Sequence, residues 1–142
     1  MSWQRMARVR ILLVDDFALF RSYVRRILEK HLEWQVIGEV GDGDTALRMA
    51  TELRPDLILL DIGLPRVNGI EVAQQLASSI PSCRIVFVTS NCALDVVQKA
   101  FDLGAMAYAV KWNGDRDLLP SIAAAIEGKR FVSERISGLR VI

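Results

Sequence analysis

Histidine and cysteine are scarce in this chain, and their scarcity removes several function classes at once. Among 142 residues there is one histidine, His31, and two cysteines, Cys83 and Cys92. A single histidine excludes multi-histidine centres and most zinc sites. Cys83 and Cys92 flank an apolar run instead of forming a CxxC pair, so they read as reduced thiols of a cytosolic protein. Charge of one sign is lacking too: 18 Lys and Arg against 17 Asp and Glu leave a formal net charge of +1. That balance makes the chain neither an electrostatic clamp for nucleic acid nor a membrane-seeking surface. No apolar run is long enough to span a bilayer. The basic stretch 1–8 leads into an apolar run too short for a signal-peptide core, and Asp15-Asp16 closes it. Repeats and low-complexity segments are missing as well. The expectation is a cytoplasmic protein with no membrane partner.

What is present is more telling. Apolar residues make up 51% of the chain, enough for a two-sided core in one domain. Four apolar runs each end on a residue that can handle a phosphoryl group. Residues 10–14 run into Asp15-Asp16, 57–60 into Asp61, 85–88 into Thr89-Ser90, and 108–110 into Lys111. Residues 35–40 make a fifth strand candidate.

Segments of helical period alternate with these runs. Residues 17–32 place Phe20, Val24, Ile27, Leu28 and His31 on one face. Residues 44–53 gather Leu47, Ala50 and Leu53, and Pro55 stops them. Asn68 or Gly69 opens a helix carrying Ile70, Val72, Ala73, Leu76 and Ala77, stopped by Pro81. Residues 93–103 turn Val96, Val97, Ala100 and Phe101 inward, with Ser90 or Asn91 as a cap. Gly104 follows where a left-handed C-cap wants glycine. A last helix is expected from Asp117 to Ile126, with Asp117 as its cap. That start puts Pro120 in the first turn, where its missing N–H costs nothing; a start at Asp115 would delete an interior bond. Residues 129–142 are basic, lack a clean period, and read as a tail or the start of a linker.

Strict βα alternation with right-handed crossovers predicts a doubly wound parallel sheet of five strands with five helices. The runs 57–60 and 85–88, apolar throughout, are its central strands. All four run endings then meet at one sheet edge, the edge where open α/β folds bind ligands. Taken singly, each residue has an ordinary structural reading. Asp15-Asp16 is a solvated turn, Thr89-Ser90 an N-cap, Lys111 a surface lysine and Tyr108 a core aromatic. Asp61 resists that reading. It closes a fully apolar run, and Pro65 and Gly69 shape a loop after it, so its carboxylate is expected exposed at the sheet edge, free to act as a nucleophile. Paired carboxylates suit a hard cation such as Mg2+. A hydroxyl and an ammonium suit phosphoryl oxygens. Clustered carboxylates also repel, so at least one is expected to have a raised pKa without a cation.

With these residues in place, the chain resembles a receiver domain of a two-component response regulator. The matching pieces are Ile11-Leu12-Leu13-Val14-Asp15-Asp16, Leu59-Leu60-Asp61-Ile62-Gly63-Leu64-Pro65 with Asn68-Gly69, Val88-Thr89-Ser90, and Lys111. The resemblance implies a flavodoxin-like sheet of order 2-1-3-4-5, with the receiver over 1–128. It implies that Asp61 takes a phosphoryl group from a histidine kinase or small phosphodonor. It implies Mg2+ on Asp15, Asp16, Asp61 and the Gly63 carbonyl, phosphoryl contacts from Thr89 and Lys111, and a Thr89–Tyr108 switch. Such a switch acts on the face around the fourth helix and fifth strand and catalyses only its own phosphoryl transfer and loss. It controls an output, commonly transcription, and homodimerises in some members on phosphorylation.

Asp-Ile-Gly-Leu-Pro, Asn-Gly-Ile-Glu and Gly128-Lys129-Arg130-Phe131-Val132-Ser133 are most similar to regulators with a LuxR-type helix-turn-helix output. Residues 129–142 are too few for that output, so nucleic acid is reached only through an output domain outside this chain. Where many receivers carry proline after the lysine, Trp112 stands here. A cis bond is therefore not expected, and the ring either anchors a partner or folds back on the surface. A haloacid-dehalogenase-type phosphatase would need a second Asp at the position of Gly63. A flavin module would need a Ser/Thr/Gly-rich loop where Asp15-Asp16-Phe17 stands. The intact site residues weigh against a degenerate receiver that only binds partners.

Overall fold

The computed structural model describes residues 8–111 and 115–137. The expected order of strands is present, with one strand added. The elements are β1 (Val9–Val14), α1 (Ala18–Leu28), β2 (Trp34–Val40), α2 (Gly43–Leu53), β3 (Leu57–Leu60), α3 (Gly69–Ser79), β4 (Arg84–Thr89), α4 (Leu94–Asp102), β5 (Ala107–Val110), α5 (Asp115–Ile126), β6 (Phe131–Val132) and α6 (Glu134–Ser137). The sheet order is β2-β1-β3-β4-β5-β6, and every neighbouring pair is parallel.

Successive strand residues face opposite sides, so each strand feeds two cores. Leu12, Val14, Ile58, Leu60, Ile85, Phe87, Tyr108 and Val110 join α2, α3 and α4 in one. Ile11, Leu13, Leu57, Leu59, Val86, Val88, Ala107 and Ala109 join α1 and α5 in the other. Burial on both faces is why these strands read as continuous apolar runs and not as an alternation.

Local chemistry sets several helix ends. Asn68 caps α3 in a full capping box with Glu71. Asp42 caps α2 by accepting the Thr45 N–H at 2.8 Å. Gly104 takes φ +95° just past α4, as its sequence position requires.

Four expectations need correction. α1 stops at Leu28, short of residue 32, and Leu32 is 83% exposed. His31 leaves the helix to stack on Trp34 at 4.4 Å, which anchors the turn into β2. α4 is capped by neither Ser90 nor Asn91; its N-cap is Ala93, with no side-chain bond, and Asn91 Oδ1 holds the Ala93 N–H one step earlier. α5 begins at Asp115, with Pro120 inside it. Asp117 is not free to cap, because its buried carboxylate accepts the Val110 N–H at the end of β5 at 3.0 Å. The segment after Lys129 also carries structure. Phe131 and Val132 pair with Ala107 and Tyr108, and Ile136 of α6 is fully buried beside α4 and β5. A two-residue strand shows no period, so the sequence did not disclose it. Among the described residues, no helix is long and apolar enough to cross a membrane.

Candidate functional site

β1 and β3 are adjacent and in register, Val14 opposite Leu60. The residues after them, Asp15 and Asp61, therefore emerge side by side. Asp15, Asp16 and Asp61 each offer a carboxylate oxygen within 4.8 Å of the others. Asp15 and Asp61 are only 4% and 6% exposed, whereas Asp16 faces solvent; the exposure expected of Asp61 is thus corrected, since the packed strand end and Lys111 enclose it. Asp15 Oδ1 accepts the Phe17 N–H at 2.9 Å, which folds the start of α1 over the corner. The Arg21 guanidinium on α1 donates to the Asp15 carbonyl and to Glu39, tying helix to strand end.

Lys111, just past β5, reaches across the sheet edge. Its ammonium lies 2.7 Å from Asp15 Oδ2 and 3.1 Å from Asp61 Oδ2. That contact makes Lys111 the partner of the buried Asp15 Oδ2. The ammonium also stands over the Phe20 ring, 4.7 Å from its centroid. Burial pushes the Asp15 carboxyl above its ordinary range; Lys111 and the Phe17 N–H oppose this, and the Asp61 charge adds a smaller upward push. The expected rise is thus present at Asp15, with burial ahead of like-charge repulsion as its cause. Burial pulls the Lys111 ammonium down, but its bonds and charge attraction to Asp15 and Asp61 outweigh that and hold it above the usual lysine value.

The loop after Asp61 is shaped by a close approach. A Cβ on Gly69 would lie 2.1 Å from the Asp61 carbonyl oxygen, so only glycine lets α3 start there. Gly63 is exposed, and its N–H reaches Asp61 Oδ1 at a long 3.4 Å.

Thr89, 1% exposed, ends β4 opposite Val110. Tyr108 is fully buried on β5, between the rings of Phe87 at 5.9 Å and Phe101 at 6.5 Å. Asn91 links the two. Its N–H donates to Thr89 Oγ1 at 3.3 Å, and its carbonyl accepts the Tyr108 hydroxyl at 2.6 Å. Burial holds the Tyr108 phenol well above its ordinary pKa.

The structure therefore brings Asp15, Asp16, Asp61 and Lys111 into one corner and joins Thr89 to Tyr108 in a second, through Asn91. Trp112 lies outside the described residues. The sequence reading missed Asn91 as the link, Arg21 as the tie and Phe20 as the neighbour of Lys111. Phe20 carried a signal only as a core position of α1. The donor set, three carboxylates without histidine or thiol, fits a hard cation.

Residues 11–123 match the response regulator receiver domain. The chain is 32% identical over 130 residues to the transcriptional regulatory protein LiaR of Bacillus subtilis, covering 92% of this chain and 62% of LiaR. It is 36% identical over 124 residues to PdtaR of Mycobacterium tuberculosis, covering 87% of this chain and 60% of PdtaR. A solved LuxR-family two-component response regulator from Aurantimonas superposes with a TM-score of 0.87 at 31% identity, covering 93% of this chain and 94% of that one. The chain spans about three-fifths of the length of these curated relatives. A match that runs from the first strand into the last long helix takes in both corners, and the chain belongs to the response regulator receiver domain family, the phosphorylatable switches of two-component signalling.

Proposed function

We propose that Asp61 is the phosphoacceptor of this chain, taking its phosphoryl group from a histidine kinase or a small phosphodonor. The observation that carries this reading is the corner itself. Asp61 Oδ2 is engaged by Lys111 at 3.1 Å, whereas among the described residues Oδ1 has only the long Gly63 contact at 3.4 Å and is the oxygen free to attack. A carboxylate oxygen forms the new bond to phosphorus, the bond from phosphorus to the donor nitrogen or oxygen breaks, and the leaving group departs with that electron pair. Lys111 offsets charge gathering on the phosphoryl oxygens, and Thr89 gives a second contact to them. Asp15, Asp16, Asp61 and the Gly63 carbonyl would hold Mg2+. Bound there, the cation supplies positive charge that offsets the carboxylates and the incoming phosphoryl oxygens.

Phosphorylation adds close to two negative charges at this edge. Thr89 moves to bond a phosphoryl oxygen and releases the Asn91 N–H, so the loop before α4 and the Tyr108 hydroxyl bond shift together. This is a change in population limited by the differential affinity of the two states. The receiver comprises 1–128, and the segment after it docks on the same sheet and core through β6 and α6. The output is transcription control, by analogy with relatives named as transcriptional regulators. DNA is contacted only by an output domain outside this chain, a phosphorylated homodimer is the acting form, and the site of action is the cytoplasm.

Intact mass after incubation with acetyl phosphate and Mg2+ tests the reading. One phosphoryl group per chain is expected in the parent and none in Asp61→Asn; full labelling of that variant would sink the assignment.

A further inference from the structure

We propose that Phe20 on α1 is a positioning residue for Lys111, its ring forming the wall that holds the ammonium within reach of Asp61. The proposal rests on Asp61 as the phosphoacceptor. The Lys111 ammonium has two carboxylate oxygens on one side, at 2.7 and 3.1 Å. The face of the Phe20 ring also borders it, at 4.7 Å to the centroid. Lysine is a point charge on a flexible four-carbon stem, so carboxylates alone leave it several rotamers. A π-face against the ammonium removes some of the others, attracts the cation through its quadrupole and keeps water from the side it covers.

Phe20 is itself held. Its N–H donates to the Phe17 carbonyl at 3.0 Å, its ring is tilted against Tyr23 at 6.1 Å, and it packs on the core shared by α1 and α5. It also lines a small hollow with Asp15, Asp61 and Val88. The same turn of chain supplies the Phe17 N–H that orients Asp15 Oδ1. One turn at the start of α1 therefore sets both members of the Asp15–Lys111 pair. Leucine or isoleucine would fill the core there equally well; only an aromatic ring faces the cation with a quadrupole.

Two readouts test this. In the unphosphorylated parent, the Lys111 CεH2 proton resonances are shifted upfield by the ring current and return to ordinary values in Phe20→Leu. In single-turnover labelling with acetyl phosphate and Mg2+, Phe20→Leu slows uptake about fivefold and Phe20→Trp keeps the parent rate. In a Lys111→Met background, Phe20→Leu slows uptake no further. Should Phe20→Leu fail to fold, Phe20→Met takes its place with the same expectations. Equal slowing in both backgrounds, or Lys111 resonances that ignore the substitution, overturns the proposal. A parent that takes up no phosphoryl group while Lys111 keeps its ring-current shift overturns Asp61 as acceptor and supports the hold of Phe20 on Lys111.

Discussion

At the acidic corner, Asp15 and Asp61 are 4% and 6% exposed, and what compensates them is the Lys111 ammonium. At the corner around Thr89 and Tyr108, burial is as deep, but the bonds that join the two are neutral and pass through Asn91. The two corners share one sheet edge and answer the problem of buried polar groups differently. Charges bring strong, long-range attraction and mutual dependence, since removing one leaves the others uncompensated. Neutral bonds each contribute about 1 kcal/mol and can be exchanged at small cost. A site that must accept added negative charge needs the first kind, and a relay that must rearrange needs the second.

Gly69→Ala should break the comparison most severely. The new methyl would meet the Asp61 carbonyl at 2.1 Å, so Asp61 or α3 must shift, at a cost of roughly 3 kcal/mol. Chemical denaturation should show that loss together with poor phosphoryl uptake, while the Tyr108 environment stays native by near-ultraviolet circular dichroism. Parent-like labelling would show that the close approach does not set Asp61.

Lys111→Met comes next. It leaves two buried carboxylates without their cation, and a loss of about 2 kcal/mol is expected. That is below the value for a fully buried pair, because Lys111 is only partly buried. Mg2+ should then raise the melting temperature more in this variant than in the parent, since the cation binds the folded state. Equal Mg2+ responses would show that Lys111 and the cation site are independent.

Tyr108→Phe probes the neutral corner and should cost about 1 kcal/mol, the share of one hydrogen bond. Its pH signature separates it from Lys111. The Tyr108 phenol is raised above its ordinary 10.0 by burial. The folded state therefore holds its proton longer, and this contribution is complete below pH 10 and lost as pH rises through the folded value. Tyr108→Phe should lose less stability than the parent between pH 10 and the alkaline limit of a titration. Parallel curves would remove Tyr108 as a buried titrating group.

Asp16→Ala should have the smallest effect. Asp16 is exposed, so the metal-free variant should melt at or slightly above the parent as local repulsion falls. The Mg2+ shift in melting temperature should disappear, and a variant that keeps the full shift would take Asp16 out of the metal site.

Much of this was legible beforehand because it rests on short-range rules. The runs ending at Asp15, Asp61, Thr89 and Lys111 are apolar because both faces of their strands are buried. Parallel pairing then sends all four endings to one edge. What could not be read involved competition for partners. Asp117 had the sequence look of a cap, but a buried Val110 N–H at the sheet edge claimed its carboxylate, and α5 began earlier despite Pro120. Asn91 looked like a cap for the following helix and proved to be the link between Thr89 and Tyr108.

By itself, then, the sequence determined the alternation of elements and the chemical kind of residue at each strand end, while the order of the five main strands came through the resemblance to receiver domains. Periodicity and strand-end position are local properties that the folded chain has little freedom to change. Only the tertiary structure decided which groups face one another. Lys111 lies fifty residues from Asp61, the Phe20 ring meets Lys111 from a different helix, and β6 finds its place against β5. Such pairings depend on distances of a few ångströms between elements remote in sequence, set by how two cores pack against one twisted sheet.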